Sequence, residues 1–592
     1  MKNKKYTTTK NTSACDKKNF SRTSIVFIML TVVIIVIIGR LLFIQIYANQ
    51  KYIDLAFRQH TVEKNIIASR GEIFLKNKDD VYPIGVNREY FMAYVSPHDV
   101  PDDQLDEVAR TIANTLEIDY LVVIQKLAKR DDIHEELKHK ITKEDKERFE
   151  NMNIAGLKFL PEYFRFYPGG MLASHIVGFV GSNGEKYIGR YGLEAYFDDE
   201  LHGDDGKVIQ ERDARGGWLT STDRVVSEKK DGSDLYLTVD YTVQYEVERI
   251  LKNAIESFDA ESGSIIVMDP KTGKIIALAN DPTFAPNTYN EVEDVAVFRN
   301  HAISDEYECG SVFKPITMAM GLDDKKITAD TTYVDTGSIK AAEYTIKNSE
   351  DKVYGLRTMT QVLEESINTG VIYVEQKIGN VKFKDYVERF GFGAISGIEL
   401  PAEADGDTRN LSHVKRDVEY YTASFGQGIT VTPLQIATAY SALANGGFIM
   451  KPQIIEKKVH VDGEDEIIEP HMVHRVISED ASKQIGKMLR SVVVNGHGKR
   501  ADVPGYLIGG KTGTAQVAKA GEKGYDDSLT VGTFAGYGPI NDPRFVIVVR
   551  IDDPKTVIWA ESSAAPTFGK VMKYLLDYYN VPPTEPILVE NK

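Results

Sequence analysis

Apolar positions along the chain follow several distinct patterns. In residues 24–48, SIVFIMLTVVIIVIIGRLLFIQIYA, they are continuous rather than periodic, and only Arg40 and Gln45 are strongly polar. At about 1.5 Å per residue a helix of this length crosses a hydrocarbon core of roughly 30 Å, and Arg40 near its far end can carry its guanidinium to the interface. No small-x-small cleavage site follows, so residues 25–47 read as an uncleaved membrane anchor. Residues 50–100 hold strand-like pieces around the turn-rich ASRGEIFLKNKDD. LDEVARTIANTL and YLVVIQKLAKR then space their apolar residues as helices do, and a heavily charged helix is expected through Lys146, with His134 to His139 on its solvated surface. Residues 154–232 return to Gly-rich, short-strand text.

A second pattern begins near Asp234. LYLTVDYTVQYEVERILKNAIESF reads as a strand and an amphipathic helix, and GSIIVMDPKTGKIIALAND as a β-hairpin turning at Asp269 to Gly273. Helical spacing is expected from about 311 to 392, strands at 506–518, 530–537 and 544–552, and a last helix at about 566–579. The fold class expected is α+β: an antiparallel sheet flanked by helices, with a helical cluster to one side as a subdomain, preceded by a mixed leader module and one transmembrane helix. The boundaries read are a tail at 1–24, the anchor at 25–47, the leader at 50–232, the main domain at 234–582 and a tail at 583–592.

Composition narrows the function classes. The chain has 592 residues, 42% hydrophobic and 27% charged, which excludes wholesale disorder, collagen and a multi-span membrane protein. Its net charge of −16 argues against a nucleic-acid surface, which needs a basic face. Seven basic residues against Asp16 alone give the first 24 residues a net +6. The positive-inside rule therefore places that tail in the cytoplasm and everything after about Ala48 beyond the membrane. The two cysteines, Cys15 and Cys309, then lie on opposite sides and cannot pair. No Cys-based zinc site is present, and His134 and His139 are spaced i,i+5 where one helical face needs i,i+4. No metal and no cofactor are expected.

The chemistry rests on short motifs that gain meaning from context. Ser-x-x-Lys occurs at Ser227/Lys230, Ser311/Lys314 and Ser412/Lys415, and Lys-Thr-Gly at 271–273 and 511–513. Ser311 follows Gly310, and Pro315 is tolerated in a first helical turn, so a helix is expected to start at about Ser311 with Ser311 and Lys314 on one face. A serine hydroxyl needs a base to become a nucleophile, and a lysine among apolar side chains has the depressed pKa that base requires. The helix N-terminus adds amide donors near a developing oxyanion. The other two Ser/Lys pairs sit in charged, polar text and read as surface; the first Lys-Thr-Gly reads as the hairpin turn. The second lies in YLIGGKTGTAQVA, where Gly509, Gly510 and Gly513 are expected to leave a strand edge open to a peptide, Lys511 to meet a carboxylate, and Thr512 and Thr514 to offer hydroxyls. Between them, Ser366-Ile367-Asn368 can bring a second hydroxyl and an amide into the cleft. The ordered triple, separated by 55 and then 145 residues, is the signature of penicillin-recognising serine acyltransferases.

The stretches YECGSVFKPIT, SINTG, ASFGQGITVTPLQIATAYSALANGG and GGKTGTAQ resemble the transpeptidase domain of class B penicillin-binding proteins. RGEIF at 70–74, FRFYPGGMLASHIVGFVG at 164–181 and GRYGLEAYFDDELHG at 189–203 resemble that family's pedestal, or dimerisation-type, module, so the likeness covers nearly the whole chain. DEYECGSVFK and FGQGITVTPLQ resemble division-type synthases more closely than elongation-type ones. Cys309 stands where the family usually has Pro, and Val312 where Thr is common; Cys309 reads as a small buried filler. No penicillin-sensor repeat and no glycosyltransferase motif is read.

The resemblance implies a single-pass protein of the bacterial cytoplasmic membrane, N-terminus inside and catalytic domain outside, that cross-links peptidoglycan stem peptides. It implies Ser311 as nucleophile, Lys314 as base, Ser366 as proton relay, and Asn368 orienting the stem amide and Lys314. Lys511 and Thr512 would hold the terminal carboxylate of the D-Ala-D-Ala donor, with Gly513 and Thr514 in the substrate groove and the Ser311 and Thr514 amides as oxyanion hole. β-Lactams are the implied inhibitors, and a polytopic glycosyltransferase of the shape, elongation, division and sporulation family, with other division proteins, the implied partners. The same motifs also fit an elongation- or sporulation-specific transpeptidase, a D,D-carboxypeptidase, a β-lactamase or β-lactam sensor, or a divisome scaffold without activity.

Overall fold

The structure, a computed structural model, describes residues 22–52, 61–78, 80–182, 184, 187–211, 224–413, 415–461, 463–518 and 525–584. Two units emerge from the contacts: residues 1–67 with 205–229, and residues 68–204 with 230–592. The first contains the apolar helix Arg22–Leu42, which runs on through a π-helical turn at Phe43–Tyr47. Its length and composition suffice to cross a membrane. Strands Thr61–Ile66, Gly206–Glu211 and Arg224–Ser227 form an antiparallel sheet in the same unit.

The second unit is built on a five-stranded antiparallel sheet. Its strands are β1 (Ser262–Met268), β2 (Ile275–Asp281), β3 (Gly509–Ala518), β4 (Tyr525–Gly538) and β5 (Phe545–Asp552), in the order β2-β1-β5-β4-β3. The β1–β2 hairpin turns at Asp269 to Gly273 as its sequence demands, with Gly273 at φ +78°. Both faces of the sheet are buried, which is why its strands read as near-continuous apolar runs. Ile265, Val267, Phe534, Ile547 and Val549 point to one side, against helices α1 (Tyr241–Phe258) and α6 (Ala564–Tyr578). Ile266, Met268, Val546, Val548 and Tyr537 point to the other, into a larger core with α2 (Lys314–Asp323), α3 (Asn368–Ile378), α4 (Pro433–Ala444) and α5 (Glu479–Asn495). The helical cluster thus lies on one side, as expected, and the first and last helices cover the other. Caps fix several helix starts: Asp240 accepts from the Thr242 and Val243 amides, and Thr432 and Gln435 form a capping box ahead of α4.

Two expectations change. EELKHKI is a strand, Glu135–Ile141, paired with Asp80–Val95, and the charged helix is confined to Lys143–Glu150. Charge density masked an alternation that puts Glu135 and Ile141 inside. The helical spacing from 311 to 392 is interrupted by four short strands between Thr332 and Thr358, too brief to show a period. A seven-stranded sheet joins the strands on either side of residues 232–234: Asp234–Asp240 pairs in parallel with Ile73–Asn77 and in antiparallel with Ile455–Val459.

Candidate active site

Ser311 sits in a 3-10 turn, Gly310–Phe313, that leads directly into α2, so the α-helix itself begins at Lys314. Gly310 takes φ +58° and donates its amide to Gly426 O at 3.0 Å. A Cβ on Gly426 would lie 2.3 Å from Gly310 O, so only glycine lets the 424–428 loop cradle the turn. Tyr440 Oη donates to Val312 O at 2.8 Å, and Thr317 Oγ1 to Ser424 O at 2.7 Å, from the same side.

Lys314 Nζ donates to Ser366 O at 2.5 Å and to Ser366 Oγ at 3.1 Å, and Ser366 Oγ donates to Ser311 Oγ at 3.1 Å. The hydrogen bonds therefore run from Lys314 to Ser311 through Ser366. Ser366 holds φ +54°, unusual for a residue with a Cβ and a conformation that gathers at functional sites. Lys314 is almost fully buried; burial first, and the charge of Lys511 second, hold its ammonium well below the ordinary lysine range.

β3 is the edge strand of its sheet, as the sequence anticipated, but its glycines serve packing. A Cβ on Gly513 would meet Cys309 O at 2.7 Å and Val312 Cγ1 at 3.0 Å, and one on Gly510 would meet the Phe534 ring at 2.5 Å. Gly513 thus lets the strand close on the turn that carries Ser311. Lys511 is fully buried behind Thr512, donating to Thr512 O at 3.0 Å and Thr512 Oγ1 at 3.3 Å. Burial pushes its pKa down to about 7, against the opposing charge of Glu561. Because Thr512 Oγ1 accepts from Lys511, and Thr514 Oγ1 accepts from Ala560 N at 3.1 Å, both hydroxyls keep their own protons to donate.

Ser311, Lys314, Ser366, Asn368, Thr512 and Thr514 line one cleft of about 540 Å³; Lys511 and Gly513 stand behind its surface. Asn368 departs from its expected contact: its Nδ2 donates to Lys347 O at 3.0 Å, and no hydrogen bond joins it to Lys314. Cys309 is fully buried, and burial raises its thiol pKa, so it is the inert filler expected. The rival Ser227/Lys230 and Ser412/Lys415 pairs lie on exposed positions. Sequence reasoning assigned no role to three further stretches of the wall: Ser349 to Tyr354, Phe425 with Gln427, and Ile558 with Trp559 and Glu561. Trp559, one of two tryptophans in the chain and half exposed, was the available signal in the last. Among the described residues no group of His, Cys, Asp and Glu could hold a metal ion.

Two family models match the chain: the penicillin binding protein transpeptidase domain over residues 263–573 and the penicillin-binding protein dimerisation domain over residues 65–237. Stage V sporulation protein D of Bacillus subtilis is 32% identical over 570 residues, 95% of this chain and 86% of that protein. Penicillin-binding protein PbpB of Mycolicibacterium smegmatis is 32% identical over 496 residues, 81% of this chain and 75% of that protein. Penicillin binding protein 3 of Mycobacterium tuberculosis, solved in complex with aztreonam, has 26% identity and a TM-score of 0.69, covering 88% of this chain and 99% of that one. With both domain models in series and these relatives spanning most of its length, the chain belongs to the class B penicillin-binding protein transpeptidases.

Proposed function

We propose that this chain cross-links peptidoglycan stem peptides through an ester on Ser311, as a D,D-transpeptidase held at the outer face of the bacterial cytoplasmic membrane by residues 25–47. In this reading residues 50–232 are the pedestal and 234–582 carry the chemistry. The observation that carries it is the unbroken chain Lys314 Nζ, Ser366 Oγ, Ser311 Oγ inside a cleft walled by the β3 hydroxyls. In neutral Lys314 the two hydroxyl hydrogen bonds reverse, so that Ser311 donates to Ser366 and Ser366 to Lys314; Lys314 takes the Ser311 proton by that route, and Ser311 Oγ attacks the carbonyl between the two terminal D-alanines. Amides of Ser311 and Thr514 stabilise the oxyanion. The same relay returns the proton to the departing D-Ala amine. Thr512, backed by the Lys511 charge, holds the terminal carboxylate, and Asn368 orients the stem. An amine of a neighbouring strand then attacks the ester, its proton passes back to Ser311, and the cross-link forms. A β-lactam enters by the first step and stays bound as an ester.

The text around Ser311 and the 424–435 loop supports a septal role, alongside a polytopic glycosyltransferase engaged through anchor and pedestal. A sporulation-specific role is the second reading, favoured by the likeness to stage V sporulation protein D across 95% of the chain. Depletion during vegetative growth separates them: filamentation is expected for the septal role, normal division with defective spores for the other.

The chemical test labels the full-length chain in detergent with a fluorescent penicillin, wild type beside Ser311→Ala. A stoichiometric adduct on wild type alone, stable for hours, is expected. Labelling of the alanine variant, or none of either, overturns the acyl-enzyme reading; loss of the adduct within minutes replaces a synthase with a β-lactamase.

A further inference from the structure

The turn carrying the second serine is held by residues remote from the three motifs. Ile367, in the capping position of α3, offers no side-chain acceptor to the first helical amides, which lack intrahelical partners. Asn348 supplies one instead: its Oδ1 accepts from Thr369 N at 3.1 Å. Asn348 is fixed in turn by Asp335, both of whose oxygens lie 3.0 Å from its Nδ2, while Nδ2 also donates to Lys352 O at 3.1 Å.

Asp335 ends the strand Thr332–Asp335 and is only 2% exposed. Besides Asn348 it accepts from Gly337 N at 3.0 Å, Tyr354 N at 2.7 Å and Thr369 Oγ1 at 2.6 Å. A carboxylate offers about four acceptor sites, and these four groups fill them. With the Thr369 proton committed to Asp335, Tyr333 Oη, 2.7 Å away, donates to the Thr369 oxygen. Among the described residues no cation is paired with Asp335, so its charge is satisfied by neutral donors alone, which burying a carboxylate requires to be well placed. Burial pushes the carboxyl pKa up, but the hydrogen bonds outweigh it and leave the group below the usual carboxylate range.

The segment from Gly337 to Tyr354 is thereby clamped at both ends by one side chain. That segment carries the cleft-lining Ser349, Glu350, Lys352 and Tyr354, and its Lys347 O holds Asn368. We propose that Asp335 is a positioning residue for acyl transfer: through Asn348 and Thr369 its carboxylate fixes the turn that presents Ser366 to Ser311 and Lys314. The inference rests on the acyl-enzyme reading above.

The test measures the penicillin acylation rate constant and the thermal unfolding of the full-length chain as wild type, Asp335→Asn, Ser366→Ala and the double variant. Asparagine keeps the shape but turns an NH2 donor toward groups that need an acceptor. Acylation of Asp335→Asn is expected to be at least tenfold slower than wild type with cooperative unfolding retained. On the Ser366→Ala background the same change is expected to slow acylation less than twofold, because a residue acting through the Ser366 turn has nothing left to position. An equal factor on both backgrounds, or a wild-type rate for Asp335→Asn, overturns the proposal. Should Asp335→Asn fail to fold, Thr369→Val decides, since it removes one donor and leaves the carboxylate. At least threefold slower acylation confined to the wild-type background is expected, and a wild-type rate overturns the proposal. Wild type that takes no label defeats the acyl-enzyme reading itself, which keeps the two failures distinct.

Discussion

Two buried lysines serve one cleft with opposite requirements. In the proposed mechanism Lys314 must be neutral to take a proton, and its burial beside the charge of Lys511 favours that state. In the same mechanism Lys511 must be charged to support a carboxylate at Thr512, yet burial pushes its pKa down to about 7. Protonated Lys511 is therefore lost as pH rises through about 7, and the acylation rate constant for a carboxylate-bearing penicillin should fall on the alkaline side. Lys511→Arg keeps its charge at any working pH and should abolish that alkaline limb, whatever it does to the maximum. A pH profile of acylation checks this; an alkaline limb unchanged in Lys511→Arg would assign it to another group. At this scale the motif residues were legible because Ser-x-x-Lys is local, fixed by helical spacing. The Asp335, Asn348 and Thr369 cluster was not, since its members are 13, 21 and 34 positions apart and each reads as an ordinary turn or cap residue.

Elements bring those residues together by close approach of backbone. β3 runs against the turn that carries Ser311 with no room for a side chain at Gly513, where an added Cβ would sit 3.1 Å from Val312 N as well as 2.7 Å from Cys309 O. Neither neighbour is the flexible end of a side chain. Gly513→Ala should therefore move β3 away from Ser311, slowing acylation more than tenfold and destabilising by about 1–3 kcal/mol through overpacking. Parallel measurement of acylation and thermal unfolding tests it, and a wild-type rate would mean that the strand does not set the cleft's width. The three C-terminal strands were legible from their apolar runs, whereas the strand Glu135–Ile141 was hidden by its charges. What the sequence could not display is why β3 needs its glycines: an open edge and a tight contact ask for the same residue.

At the scale of the molecule, the pedestal text is not a separable stalk. Tyr167 exchanges two backbone-to-side-chain hydrogen bonds with Asn287, at 3.0 and 2.8 Å, and Ala173 N donates to the half-buried Glu248 at 2.8 Å. Phe179 stacks on Tyr289 with centroids 4.3 Å apart, and Phe74 on Tyr236 at 4.8 Å. Strand Asp234–Asp240, with Leu235, Leu237 and Val239 fully buried or nearly so, has Ile73–Asn77 as one of its two neighbours. The pedestal side is locked in turn by Glu194, fully buried, which accepts from Arg70 Nε at 2.7 Å and Arg165 Nε at 2.5 Å. Cutting the chain before Asp234 strips one edge from that strand and uncovers the aromatic surface that Phe179 and Phe74 cover. Exposed apolar surface next to an unpaired strand edge promotes association. A chain of residues 234–592 should therefore be recovered mainly as aggregate, or unfold at least 10 °C below the full-length protein, with penicillin acylation lost in proportion to the unfolded fraction. Solubility, thermal unfolding and labelling of that fragment test the point. A soluble fragment with the full-length Tm would mean that the sheet crossing residues 232–234 adds no stability, and that the sequence boundary there is also a folding boundary.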